Sequence, residues 1–341
     1  TPRALIAAMV DVTQPKPKQT IGDPACGTGG FFLTAHDYID KSYNLNPDEK
    51  KFLKEKTFHG WDIVAEVTRL CAMNMYLHGI GSVESQVQNT DSLIGDSGDR
   101  FDVIMTNPPF GKKSTVTIFS EEGKAEKESM SYERDDFWAT TSNKQLNFIQ
   151  HIKTLLKVNG KCAVVVPDNV LFEGGAGEIV RNKLLEQCDL HTMLRLPTGI
   201  FYAGGVKANV LFFDKKPARE DGKAWTEKLW IYDLRTNMHF TQKEKKLTRA
   251  DLDEFVKCYN AADISKRKED TTDEKTRWKS YTYEKIVTFD KTSLDIFWLK
   301  DDSLIDLENL PEPDVIAQEI SDNLESALES VTELIENLKS K

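Results

Sequence analysis

The chain has 341 residues, 39% hydrophobic and 29% charged, enough for one large or two ordinary domains with a real core. A net charge of −10 argues against a protein that grips nucleic acid through its own basic surface. No stretch approaches the roughly 20 apolar residues of a membrane span, and five scattered cysteines and six lone histidines form neither a disulfide framework nor a metal site. No membrane partner and no metal are therefore expected. The cysteine usage is that of a reducing compartment, so a cytoplasmic location is expected. The opening at Thr1 without Met reads as an excerpt of a longer protein.

Residues 2–12 read as a helix, with Leu5, Ile6, Met9 and Val10 on one face and Pro2 tolerated in the first turn. Gln14 to Gln19, with Pro15 and Pro17, forms a stiff linker. Thr20 to Tyr38 follows as a short strand, a glycine-rich turn and a helix. Gly27, Gly29 and Gly30 let a ligand lie against bare backbone, and the helix aims its amino end at that place. The spacing departs from the dinucleotide Gly-x-Gly-x-x-Gly, and Asp23 ahead of it repels a pyrophosphate but suits a cation or an amino group. The same glycines also read as nothing more than a tight turn.

Phe58 to Ile63 reads as a second strand ending at Asp62, where an acid is placed to accept from ribose hydroxyls. A helix carrying Leu70, Met73, Asn74, Leu77 and His78 closes on Gly79. Ser85 to Leu93 supplies a third strand ending at Asp91. Each acid alone reads as a helix cap or a surface charge. At the ends of three strands in series, that reading weakens.

Val103 to Met105 reads as a buried strand, stopped by Pro108 and Pro109, which have no N–H for a ladder. Asn107 is thereby held at a strand's carboxyl end, where open α/β sheets bind ligands. Its amide offers one acceptor group and two donors, the Pro108 carbonyl is a second acceptor, and Phe110 adds an aromatic face. Together they suit a planar substrate with an exocyclic amino group. A bare Asn-Pro-Pro is also simply a rigid turn.

Ser120 to Asp136 is too polar and long for an ordinary connection and reads as a loop closing over the substrate or as a surface insertion. Gln145–Leu156 is a helix, Cys162–Pro167 a strand and Ala176–Cys188 a helix. Strands Met193–Leu196 and Asn209–Phe213 are joined only by Pro197 to Lys207, too short for a helical crossover, so they pair antiparallel. The fold class is α/β, a Rossmann-like sheet, mostly parallel with one antiparallel strand. Past Lys215, a strand at Leu229–Leu234, a helix at Asp251–Tyr259 and a charged linker at Asp263–Lys279 suggest a peripheral layer. Lys243 to Lys246 and Lys266 to Lys268 read as solvated faces rather than phosphate contacts. From Pro313 the tail is helical, with Leu324, Leu328, Val331, Ile335 and Leu338 as an apolar stripe. Four segments result: an N-terminal helix at 1–14, a core at 15–215, its extension at 216–300 and a C-terminal helix at 301–341.

Asp23-Pro-Ala-Cys-Gly-Thr-Gly-Gly30 followed by Asn107-Pro-Pro-Phe110 resembles the motif pair of S-adenosylmethionine-dependent N6-adenine DNA methyltransferases. The order of the motifs, with Thr1-Pro-Arg3 ahead of both, is similar to the modification subunits of type I restriction–modification systems. The blocks Gly160 to Pro167, Asn169 to Phe172, Leu196 to Phe201, Ser293 to Leu299 and Leu310 to Pro313 extend that likeness over nearly the whole chain. The family's N-terminal helical domain has no counterpart here. The resemblance implies S-adenosylmethionine as cofactor, with Thr1 and Pro2 against its methionine end and Asp23, Ala25, Gly27, Thr28, Gly29 and Gly30 as its amino-acid loop. It implies Asp62 and Ile63 at the ribose, Asp91, Ser92 and Leu93 at the cofactor adenine, and Asn107, Pro108, Pro109 and Phe110 as the catalytic turn. It also implies DNA with a flipped adenine as substrate, a specificity subunit docked on the C-terminal helix, and a restriction subunit in the full complex. A stand-alone adenine methyltransferase and a protein glutamine methyltransferase, which uses a similar Asn-Pro-Pro turn, are the alternatives.

Overall fold

The computed structural model describes residues 1–82, 85–111, 115–119, 125–129, 131–201, 206–238, 240–241, 245–269 and 275–300. In chain order the elements are α1 (Arg3–Thr13), β1 (Ile21–Asp23), α2 (Gly30–Ser42), α3 (Pro47–Glu55), β2 (Phe58–Asp62), α4 (Ala65–Leu77), β3 (Val87–Asn89) and β4 (Phe101–Thr106). A hairpin of β5 (Thr115–Phe119) and β6 (Ala125–Ser129) follows, then α5 (Lys144–Leu155), β7 (Leu156–Pro167), α6 (Asn169–Phe172), α7 (Ala176–Gln187), β8 (Cys188–Arg195) and β9 (Ala208–Lys215). The last are β10 (Lys228–Asp233), α8 (Asp253–Tyr259), β11 (Trp278–Thr282) and α9 (Tyr283–Ile286).

Nine strands form one sheet in the order β3-β2-β1-β4-β7-β9-β8-β10-β11. From β3 to β7 every neighbouring pair is parallel, whereas β9 runs antiparallel to both β7 and β8. The short connection between β8 and β9 thus produces the reversed strand it predicted. Beyond the core, residues 228–282 lengthen the sheet itself: β10 joins β8 in parallel, and β11 closes the edge antiparallel. Trp230 and Trp278 hold that last pair, stacked with centroids 5.1 Å apart. The third strand ends at Asn89, so Asp91 stands in the loop beyond it.

The central strands are apolar on both faces because both are covered. Val103 and Met105 pack into a core with α1, α2 and α8, while Ile104 packs with α5 and α7 on the opposite side. Val210 and Phe212 against Leu211 and Phe213 repeat that alternation in β9. The charged run around Lys266 departs from a wholly solvated face at one residue. Arg267 is buried, donating to the Tyr259 carbonyl at 2.6 Å and the Thr192 hydroxyl at 2.8 Å. The C-terminal helix and its apolar stripe, and parts of the 120–136 and Lys243 to Lys246 stretches, lie outside the described residues.

The strand order fixes where a site can form. The chain runs outward from β1 to β2 and β3, then returns to β4 on the other side of β1. The connections leaving β1 and β4 therefore part at their carboxyl ends and open a crevice, the switch point at which such sheets bind ligands.

Candidate active site

β1 delivers Asp23 to one side of that crevice. The side chain is 1% exposed and its Oδ1 accepts from the Ala25 N–H at 3.0 Å, shaping the start of the glycine loop from beneath. Burial pushes its pKa up to about 7, and the nearby charge of Asp62 adds to the rise. Gly29 caps α2 at φ 80°, a conformation that favours glycine, and a Cβ there would stand 2.9 Å from Cys71 Sγ. The Cys26 thiol in the same loop is held well above its ordinary pKa by its interaction with the Cys71 thiol and by burial, as expected of a packing residue.

The neighbouring strand ends brace this loop. Asp62 Oδ2 accepts from the Gly27 N–H at 3.2 Å, and its Oδ1 accepts from the Val64 N–H at 2.9 Å. Ile63, next to it, is 67% exposed, an apolar side chain facing solvent beside the acid. Asn74 on α4 donates to the Thr28 carbonyl at 3.0 Å. Ser92 donates to the Pro24 carbonyl at 2.9 Å, joining the loop after β3 to the loop after β1. Asp91 accepts from the Leu93 N–H at 3.0 Å, and Leu93 is buried with Tyr132 and Phe148, with Ala25 packed against them.

On the far side of the crevice β4 ends in the Asn107–Phe110 turn. Asn107 Nδ2 donates to the Thr1 hydroxyl at 2.7 Å, bringing the start of the chain against the turn. Asn107 Oδ1 is buried and has no hydrogen-bond partner among the described residues. A buried carbonyl oxygen left alone costs about 1–3 kcal/mol, so it marks a place where a donor is wanted. Pro108 is buried, and Phe110 is half-buried with its ring edge-on to Phe201, centroids 5.6 Å apart. Gln145, at the start of α5, donates to the carbonyls of Pro109 and Gly111.

Thus Asp23, Ala25, Gly27, Thr28, Gly29 and Gly30 share one loop, to which Asp62 and Ser92 bond. Thr1 meets Asn107 across the turn. Tyr132, Asn74 and Gln145 were not legible as members of this cluster, because each reaches it from a distant part of the chain. For Gln145 the only local sign is its place just after the cap Asn143. Among the described residues no group of three or more His, Cys, Asp or Glu could hold a metal ion.

Residues 1–297 match the N-6 DNA methylase family. Over 99% of its length the chain is 38% identical to the type I restriction enzyme StySPI methylase subunit of Salmonella potsdam, spanning 68% of that protein. It is likewise 38% identical to the EcoKI methylase subunit of Escherichia coli K12, over 99% of this chain and 68% of that one. The crystal structure of the EcoKI M protein superimposes with a TM-score of 0.76 at 36% identity, covering 99% of this chain and 72% of that chain.

Proposed function

The chain belongs to the N-6 DNA methylase family, and from that membership we propose that it is the modification subunit of a type I restriction–modification system. In this reading it transfers a methyl group from S-adenosylmethionine to N6 of adenine in DNA, and a separate specificity subunit reads the sequence. The observation that carries it is the buried Oδ1 of Asn107, without a hydrogen-bond partner among the described residues, just past the end of β4 and beside the crevice where the strand order reverses.

The residues present fit a sulfonium cofactor. Burial and the nearby negative charge of Asp62 raise the cost of ionising Asp23, and a bound cation relieves it. Gly27 and Gly29 at positive φ leave bare backbone for a close approach. We assign the cofactor's methionine end to Thr1, Pro2 and the loop of Asp23 to Gly30, its ribose to Asp62 and Ile63, and its adenine to Asp91, Ser92 and Leu93. When bound, the cofactor supplies an electrophilic methyl group on sulfur.

The amino nitrogen of adenine is a poor nucleophile because its lone pair is delocalised into the ring. Asn107 Oδ1 and the Pro108 carbonyl accept hydrogen bonds from its two N–H groups, which favours a pyramidal nitrogen with the lone pair free, and one of those protons passes to water once the nitrogen is methylated. That stabilisation is felt mainly in the transition state. Phe110 stacks on the base, which must leave the duplex to reach this depth. The net charge of −10 agrees with a catalytic subunit that leaves DNA grip to its partner. The segment 301–341 is the proposed dock for the specificity subunit, a restriction subunit joins in the full complex, and a cytoplasmic location goes with this role.

The test is transfer of labelled methyl from S-adenosylmethionine to unmethylated plasmid DNA, with and without a candidate specificity subunit. N6-methyladenine formed only with the partner supports the reading. Labelling of a glutamine-containing protein, with DNA left unlabelled in both arms, overturns it.

A further inference from the structure

We propose that Gln145 is a positioning residue for methyl transfer: its side-chain amide clamps the Asn107–Phe110 turn in the shape that presents the amino-accepting groups. The inference rests on the reading of Asn107 given above and adds a residue that no motif marks.

The turn cannot brace itself. β4 stops at Thr106, and neither Pro108 nor Pro109 has an N–H to tie the chain back to the sheet. The carbonyls of Pro109 and Gly111 find a single common donor, Gln145 Nε2, at 3.0 and 2.7 Å. These two bonds hold the backbone just before and just after Phe110, whose ring meets Phe201 edge-on.

The clamp is itself held. Gln145 is 4% exposed, and its N–H is accepted at 3.0 Å by Oδ1 of Asn143, the residue that caps α5. Asn143 Nδ2 in turn donates to Glu173 at 2.7 Å, beyond α6. The orientation of the Gln145 amide is fixed by chemistry, because two carbonyls require the amino side and would repel the oxygen. The consequence is that Gln145 Oε1 points away, buried and without a partner among the described residues. A side chain kept for packing alone would have no reason to bury an unpaired oxygen. One kept for its two donations would.

Two substitutions separate positioning from packing. Gln145→Leu fills the space without donating. Gln145→Glu keeps the shape but sets a carboxylate against two carbonyls, and only its protonated form recovers one donor. With the full chain and its specificity subunit, both variants should bind S-adenosylmethionine within about twofold of wild type while kcat falls about 100-fold, the scale of a 1 Å misplacement. The Gln145→Glu activity, relative to wild type, should recover as pH falls, since burial beside carbonyl oxygens raises the pKa of the new carboxyl. The turn is read independently of any substrate by fluorine NMR of 4-fluorophenylalanine at position 110. It should give one sharp line in wild type and a broadened or divided one in Gln145→Leu. A sharp, unshifted line in Gln145→Leu overturns the inference whatever the substrate is. So does lost turnover that tracks lost folded protein and shows no recovery of Gln145→Glu at low pH. Absence of DNA methylation by wild type, with the line broadened in Gln145→Leu, would count against the adenine reading and leave the clamp standing.

Discussion

The Tyr132 hydroxyl donates to Asp91 Oδ2 at 2.8 Å, stitching the segment after the β5–β6 hairpin to the loop that follows β3. Tyr132 is 6% exposed and packs with Leu93 and Phe148 beside Ala25, so the stitch lies under the proposed adenine end of the cofactor site. A hydrogen bond to a charged group contributes about 1.5–3 kcal/mol. Tyr132→Phe should therefore weaken S-adenosylmethionine binding by about tenfold, read by calorimetry, with kcat at saturating cofactor little changed. Unaltered affinity would show that Asp91 needs no such support.

If Asp23 lies at the cofactor as proposed, cofactor binding should depend on pH. Its folded pKa of about 7 stands above the unfolded value near 3.9. Its contribution to stability is therefore fully present below about pH 4 and is lost as pH rises through about 7. A bound cation favours the ionised form, so binding should release a proton and tighten between about pH 6 and pH 8. Calorimetry in buffers of different ionisation enthalpy reads the proton directly. Asp23→Asn should flatten the profile, and a wild-type profile already flat would contradict the assignment.

Gly29 and Gly27 should differ in their tolerance of alanine. Both have positive φ, but a Cβ on Gly29 would stand 2.9 Å from Cys71 Sγ, whereas one on Gly27 meets nothing within 4 Å. Gly27→Ala should cost only the left-handed penalty of about 1–2 kcal/mol. Gly29→Ala adds a clash at the cap of α2 and should lower the melting temperature further. Equal melting temperatures would mean that Cys71 yields without cost.

A second polar cluster stabilises the ends of β7 and β9. Asp168 takes two bonds from Arg235, at 2.7 and 2.8 Å, and Arg235 also donates to the carbonyls of Leu196 and Ala208. Burial alone would raise the Asp168 pKa, yet Arg235 holds it below the ordinary value. Its contribution is therefore present above the unfolded value near 3.9 and lost as pH falls through the folded one. Asp168→Ala leaves the half-buried Arg235 guanidinium without its carboxylate partner and should cost about 3 kcal/mol at neutral pH, measured by denaturant unfolding. The difference from wild type should shrink on acidification. A constant difference would assign the loss to packing.

Local chemistry explains which parts of the fold could be read from the chain. The Gly27–Gly30 turn, the proline stop after Asn107 and the short Pro197–Lys207 connection each act within a few residues, and each has the structural consequence its chemistry implies. Helix α3 is not legible in the chain although Asn46, Pro47 and Glu49 carry its start signal, because it buries only Leu53 and shows no apolar stripe. Strand β11 starts in the last two residues of what reads as a charged linker and runs past it, and only its pairing with β10 makes it a strand. Gln145, Tyr132 and Arg235 act through partners 34, 41 and 67 residues away, which no local pattern encodes. The glycine loop and the proline turn were thus legible, and the side chains bracing them were not.

The measurement that bears most directly on the account compares wild type with Asn107→Ala in a single-turnover methyl-transfer assay on hemimethylated DNA, in the presence of a specificity subunit. Cofactor binding is titrated in parallel. Asn107 Oδ1 is proposed to contribute mainly in the transition state, so its loss should slow transfer by about 100- to 1,000-fold while cofactor affinity stays within about threefold. Transfer at the wild-type rate by a folded Asn107→Ala chain would remove Asn107 from the chemistry and contradict the proposed mechanism.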